Sequence, residues 1–195
     1  MQDIKYKILV WLPSPMGDAI LCTPALRAIR QHFGSSQISF LAKPAVRQVL
    51  SPSNFNDTWL EQQNSNPFAI AKMLKTHKFT HAILFKNSFG SALTTFMAGI
   101  PLRIGYAREK RGLLLTDKLR PPRSANGKFK PIPMVDYYLA ITSWLGVDTD
   151  NRNLELLTDP QEEKKLKDKL PEITKPEGPV VIIVPGGAFG PSKCW

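Results

Sequence analysis

Residues 6–18, YKILVWLPSPMGD, decide the fold. Ile8, Leu9, Val10, Trp11 and Leu12 form an unbroken apolar run, so both faces of this extended segment are built for burial. That is the signature of a strand inside a parallel sheet covered by helices on both sides. Pro13 and Pro15 stop the run, and Gly17-Asp18 lead into a helical pattern. The spacing of Ile20, Leu21, Ala25, Leu26, Ile29 and Phe33 predicts one helix over 18–33.

The same alternation continues outward. Residues 37–42 (QISFLA) read as a strand, 44–50 as a short helix and 57–60 as a further strand. A helix at 67–77 precedes a buried strand at 80–85 (THAILF), and a small-residue helix at 91–98 precedes a strand at 102–106. Residues 110–130 are basic and rich in proline and glycine, which predicts mostly loop. An amphipathic helix follows at 134–145. Strands alternating with helices imply right-handed crossovers and an α/β, doubly wound parallel sheet.

The last segment differs in kind. Residues 147–179 read as a linker with a short charged helix at 161–170, and 180–184 (VVIIV) as a strand before Pro185-Gly186-Gly187. The expected organisation is therefore one domain at 1–146, a linker at 147–179 and the start of a second domain at 180–195. On this reading the chain is the front part of a two-domain protein.

Composition narrows the function. The chain has 195 residues and a formal net charge of +10. Such a surface favours anionic partners: nucleic acid, lipid headgroups or phosphorylated small molecules. Aromatics are not interleaved with the basic residues as in single-strand stacking platforms, which argues against nucleic acid. Two cysteines are too few for a disulfide framework, and Cys22 falls in an apolar helical run. The first residues resemble neither a signal peptide nor a membrane span, so a reducing cytoplasm is the expected compartment. His32, His77 and His81 lack metal-ligand spacing, so no metal is expected.

Ligands of doubly wound sheets bind beyond the carboxyl ends of the strands, which directs attention to residues 13–18. The loop is neither a dinucleotide fingerprint nor a P-loop. Gly17 allows close backbone approach, with Ser14 beside it. Asp18 has two compatible readings. It is a favoured helix N-cap, stabilised by the helix dipole, and the same field keeps it ionised as a general base must be. Asn87 and Ser88, at the end of the strand at 80–85, either bond a ligand's hydroxyls or cap the next helix. Arg103, Arg108, Lys110 and Arg111 form a basic cluster suited to carboxylate or phosphate, or else a solubilising loop.

Gly17-Asp18 followed by Thr23-Pro24-Ala25-Leu26-Arg27 resembles the N-terminal motif of the family 9 glycosyltransferases, which include the ADP-heptose:lipopolysaccharide heptosyltransferases. Asn87-Ser88-Phe89, Ser91-Ala92-Leu93, Ala98-Gly99-Ile100-Pro101, Arg103 and Gly105 look most like the heptosyltransferase II branch. The terminal stretch from Pro185 to Trp195 is a third match. The resemblance implies a GT-B architecture whose Rossmann-like N-terminal half holds the acceptor and whose second half holds the nucleotide sugar.

It further implies an inverting transfer from ADP-heptose to the anionic inner core of lipopolysaccharide, without cofactor or metal, at the cytoplasmic face of the inner membrane. Asp18 matches the catalytic base. Acceptor binding falls to Ser14, Gly17, Asn87, Ser88, Arg103, Arg108, Lys110 and Arg111. Gly187 and Lys193 match donor-binding positions, while Ala188 and Cys194 stand where the family often has polar residues. The missing C-terminal domain is then a required partner. A non-catalytic basic module that binds an anionic glycolipid is the competing expectation.

Overall fold

The computed structural model describes residues 6–63, 65–147, 150–171 and 178–183. The chain divides into two units, Met1–Leu157 and Thr158–Trp195.

The first unit is a six-stranded sheet in the order β3-β2-β1-β4-β5-β6. Its strands are β1 (Lys7–Trp11), β2 (Gln37–Ala42), β3 (Thr58–Glu61), β4 (His81–Leu84), β5 (Leu102–Tyr106) and β6 (Asp117–Leu119). Every neighbouring pair is parallel. The run at 8–12 is buried on both faces because its alternate residues enter different cores. Ile8, Val10 and Leu12 pack with α1 (Met16–Leu21), α2 (Thr23–His32) and α6 (Met134–Trp144). Leu9 and Trp11 pack with α4 (Pro67–His77) and α5 (Phe89–Met97). A short α3 (Pro44–Leu50) completes the first layer.

The helix predicted over 18–33 is two helices. Pro24 has no N–H to give the Ile20 carbonyl, and its ring crowds that oxygen. The Thr23 hydroxyl donates to the Ile20 carbonyl instead, at 2.9 Å, and α2 begins with Pro24 in its first turn. Cys22, at the joint, is fully buried, and burial pushes its thiol well up: it is a core thiol.

Strand β6 lies inside the stretch predicted as loop. It has three residues, of which only Leu119 is buried, so no apolar alternation marks it. Pairing with β5 makes it a strand. Beyond α6, residues 151–155 are strapped to α2. Arg27 donates to the carbonyls of Asn151 and Asn153 and pairs with Glu155 at 2.9 Å, and the Glu155 N–H donates to Thr23 Oγ1.

In the second unit, α7 (Pro160–Lys169) is capped by Asp159 and buries none of its residues. The strand predicted at 180–184 is not formed over residues 180–183, which are exposed. An apolar run becomes a strand only when another strand takes its N–H and C=O groups, and among the described residues none does. Val184 lies outside them.

Candidate functional site

The strand order reverses direction between β1 and β4, so the loops after these strands run to opposite faces and leave a crevice at their carboxyl ends. The backbone closes its floor: the N–H groups of Phe85 and Lys86 both donate to the Trp11 carbonyl. A cavity of about 330 Å³ opens here. Its polar lining is Ser14, Asp18, Lys86, Asn87, Ser88 and Arg108, with Met134 and Tyr138 of α6 as one wall.

Among the described residues Asp18 is the only acid on that lining. It stands in the first turn of α1, but the N-cap position belongs to Pro15 and no side chain caps this helix. The capping role read from the sequence is thus absent. Its carboxylate has neither a side-chain hydrogen bond nor an ion pair among the described residues. The dipole at a helix start lowers a carboxyl pKa, yet burial outweighs it and raises Asp18 above its ordinary value. A carboxylate held this way binds a proton more readily, as a general base requires.

On the facing loop each polar side chain already has a partner. Arg111 Nη2 donates to Asn87 Oδ1 at 2.9 Å, and Asn87 Nδ2 donates to the Tyr137 hydroxyl at 3.0 Å. Since guanidinium only donates, this fixes which end of the amide is which. Ser88 is the N-cap of α5 and its hydroxyl accepts from the Ser91 N–H at 3.1 Å. The capping reading therefore holds for Ser88, which also lines the cavity. Lys86 donates to Gln62 Oε1 at 2.9 Å, and burial together with the charge of Lys43 lowers its pKa.

Three of the four basic residues expected at the site are elsewhere. Arg103 is second in β5, opposite Ala82 at the amino end of the sheet, away from the crevice. There it bonds the carbonyls of Leu114, Ile100 and Pro101 and lies over Phe96. Arg111 is wholly buried. Its guanidinium donates to the carbonyls of Tyr106 and Lys86, to Ser91 Oγ and to Asn87 Oδ1, and among the described residues it makes no ion pair. Burial lowers it to about 10, so it stays charged at neutral pH. Its contact with the site is indirect, through Asn87. Gly105 makes room for it, because a Cβ there would sit 3.1 Å from Arg111 Nη2 and from the Leu84 carbonyl oxygen.

Arg108 lines the cavity as expected, its charge favours the ionised form of the nearby Tyr137 hydroxyl, and it lies 4.9 Å over the Phe129 ring. Lys110 lines a neighbouring cavity of about 330 Å³ instead, with Arg108, Glu109 and Arg123. Glu109 and Lys110 both carry positive φ, 50° and 57°, a backbone costing roughly 1–2 kcal/mol per residue outside glycine. Gly17 is exposed on α1, with open space where a side chain would stand. Gly187 and Lys193 lie outside the described residues. The sequence reading missed Lys86, Tyr137 and Tyr138. Lys86 was legible by position, as the residue between a buried strand and Asn87.

No group of three His, Cys, Asp or Glu able to hold a metal occurs among the described residues, and none of their helices is long and apolar enough to cross a membrane.

Comparison with known proteins agrees with this architecture. Lipopolysaccharide heptosyltransferase 2 of Escherichia coli is 29% identical over 203 residues, which takes in 97% of this chain and 56% of that protein. Lipooligosaccharide heptosyltransferase 2 of Haemophilus ducreyi is also 29% identical, with the same coverage. The chain thus spans about half the length of the curated relatives it matches. The solved structure of E. coli ADP-heptose lps heptosyltransferase II superposes with a TM-score of 0.74 at 25% identity, over 97% of this chain and 57% of that one. A family 9 glycosyl transferase from Veillonella parvula shares the fold at 18% identity, with a TM-score of 0.73, 91% of this chain and 52% of that one covered. Residues 68–195 match the profile of glycosyltransferase family 9 (heptosyltransferase). The chain belongs to that family, and its sheet is the Rossmann-like layer of a GT-B fold.

Proposed function

We propose that this chain is the acceptor-binding part of an enzyme that transfers heptose from ADP-heptose to the inner core of lipopolysaccharide, with inversion and without a metal. The observation that carries this is the unpaired Asp18 carboxylate at the crevice, partly desolvated and flanked by Lys86 and Arg108. The acceptor hydroxyl gives its proton to Asp18 as its oxygen attacks the anomeric carbon of the heptose. The bond from that carbon to the diphosphate breaks, and ADP leaves with the electron pair. Positive groups that stabilise the leaving diphosphate belong to the donor side, where Gly187 and Lys193 are the proposed contacts.

Around the acceptor, Asn87 and Ser88 orient the sugar and Arg108 attracts its anionic groups, with Ser14 across the cavity. A net charge of +10 suits work at the anionic cytoplasmic face of the inner membrane. The test is transfer by a protein of the relatives' full length built on this chain, offered ADP-heptose and a heptose-deficient inner-core acceptor. Heptose transfer is expected, with acceptor KM raised by Arg108→Glu. Transfer only from other nucleotide sugars would overturn the donor assignment. Saturable glycolipid binding without turnover would favour the non-catalytic module.

A further inference from the structure

One layer of helices breaks the pattern of a solvated surface. From Asn87 to Leu102 no residue is Asp, Glu, Lys, Arg or His, so α5 carries no charged side chain. A helix on the outside of a layer normally turns a polar face to water. α2 does so: its unburied residues include Arg27, Arg30, Gln31 and His32. α5 instead turns out Phe89, Leu93 and Phe96, spaced i, i+4, i+7 along one stripe. Phe89 is 48% exposed and Phe96 52%. The single turn Arg111–Leu113 packs on α5 and ends in Leu113, which is 94% exposed. On the adjacent α4, Phe68 is 71% exposed. Single exposed apolar residues are ordinary; a charge-free stripe of them beside another marks a contact surface.

The charges around this face are of one sign. Residues 62–116, which build α4, β4, α5 and β5, hold eight Lys and Arg and one acid, Glu109, whereas residues 14–61 hold four and three. Arg111 is buried. Lys72 and Lys75, however, are exposed and follow Phe68 at i+4 and i+7, and Lys110 is exposed three residues before Leu113. The Arg103 guanidinium lies 5.4 Å over the Phe96 ring. Such a face repels a second copy of itself, because a twofold contact sets like charges against each other. A protein partner needs a closely packed interface core, and Leu113 instead projects from a turn with nearly all its surface free. Apolar side chains projecting among lysines and arginines match a bilayer, where the former enter the acyl boundary and the latter meet anionic headgroups.

We propose that the outer face of α4 and α5, together with Leu113, docks on an anionic lipid bilayer. Phe89, Phe96 and Leu113 enter it, and Lys72, Lys75 and Lys110 lie at its headgroups. Both helices start at the carboxyl ends of the strands before them, so the face begins beside the Asp18 crevice. This deepens the membrane-face reading above by naming the surface. That the bilayer presents the acceptor rests on that reading; the docking does not.

The experiment is co-sedimentation of the full-length protein with two kinds of vesicle, phosphatidylcholine alone and equal parts phosphatidylcholine and phosphatidylglycerol, both free of lipopolysaccharide. Binding is expected to the mixed vesicles, falling as salt is raised, and to be much weaker on phosphatidylcholine alone. Leu113→Ser and Phe96→Ser each remove an exposed side chain, so Tm should hold while the partition coefficient falls about ten-fold. Lys72→Gln should lower it about five-fold. Equal binding to both vesicles, no binding, or binding unchanged in Leu113→Ser and Phe96→Ser overturns the docking face. So does a dimer that Leu113→Ser dissociates. Docking without heptose transfer leaves the face standing and fails the acceptor reading. Transfer to a soluble, delipidated core by a protein that binds neither vesicle does the reverse.

Discussion

The two loops that meet at the switch point are built on opposite plans. The loop after β1 presents Ser14 and Asp18 to the cavity without a side-chain hydrogen bond to either among the described residues. The loop after β4 presents Lys86, Asn87 and Ser88, each already bonded, and Arg111 and Tyr137 behind them hold Asn87 by both ends of its amide. An unpartnered, partly desolvated carboxylate is free to take a proton. A fixed amide and a helix cap are suited to holding a ligand in one orientation, which is what makes a proton transfer efficient. On the proposed function, one loop reacts and the other positions.

The largest expected effect falls on the reacting loop. Asp18→Asn should lower turnover of the full-length protein about 10²–10⁴-fold, the usual contribution of a general base. The fold should not suffer. A carboxyl whose folded pKa is raised binds its proton more tightly folded than unfolded. Asp18 therefore detracts from stability as pH rises from the ordinary aspartate value through the raised one. The amide removes that loss, so thermal melting at neutral pH should show an unchanged or higher Tm. A lowered Tm would return Asp18 to a structural role.

The next effect belongs to the positioning loop and reverses the pattern. Arg111→Met strands the carbonyls of Tyr106 and Lys86 along with Asn87. It should cost about 3 kcal/mol or more in urea unfolding. Gly105→Ala pushes on the same guanidinium and should cost about 1–3 kcal/mol. If either leaves stability untouched, Arg111 is not the scaffold described. Smallest is Ser88→Ala, which removes the α5 cap at about 1 kcal/mol and should raise acceptor KM only slightly. A large fall in kcat there would show that the positioning loop takes part in the chemistry.

Much of this was legible in the sequence where burial wrote it. The run at 8–12 announces a strand covered on both faces and puts residues 13–18 at its end, as the run at 80–85 does for Asn87 and Ser88. What the sequence concealed was direction and depth. Arg103, Arg108, Lys110 and Arg111 are neighbours along the chain, yet they occupy the far end of a strand, the cavity, its neighbour and the core. Charge signals exposure by habit, and nothing local tells that Arg111 is swallowed; the nearby Gly105, on the strand where a side chain would collide with it, was the available clue. β6 stayed hidden because a short, mostly exposed edge strand has no apolar period. The break at Cys22 was readable from Pro24, whose missing N–H lies in mid-pattern.

Whether Asp18 is the proton acceptor is read most directly from the pH dependence of kcat/KM for sugar transfer. An acid limb is expected whose apparent pKa lies above the ordinary aspartate value of about 3.9, in line with the raised carboxyl, and that limb should vanish in the slow residual activity of Asp18→Asn. Near-normal transfer by Asp18→Asn, with the acid limb intact, would contradict it.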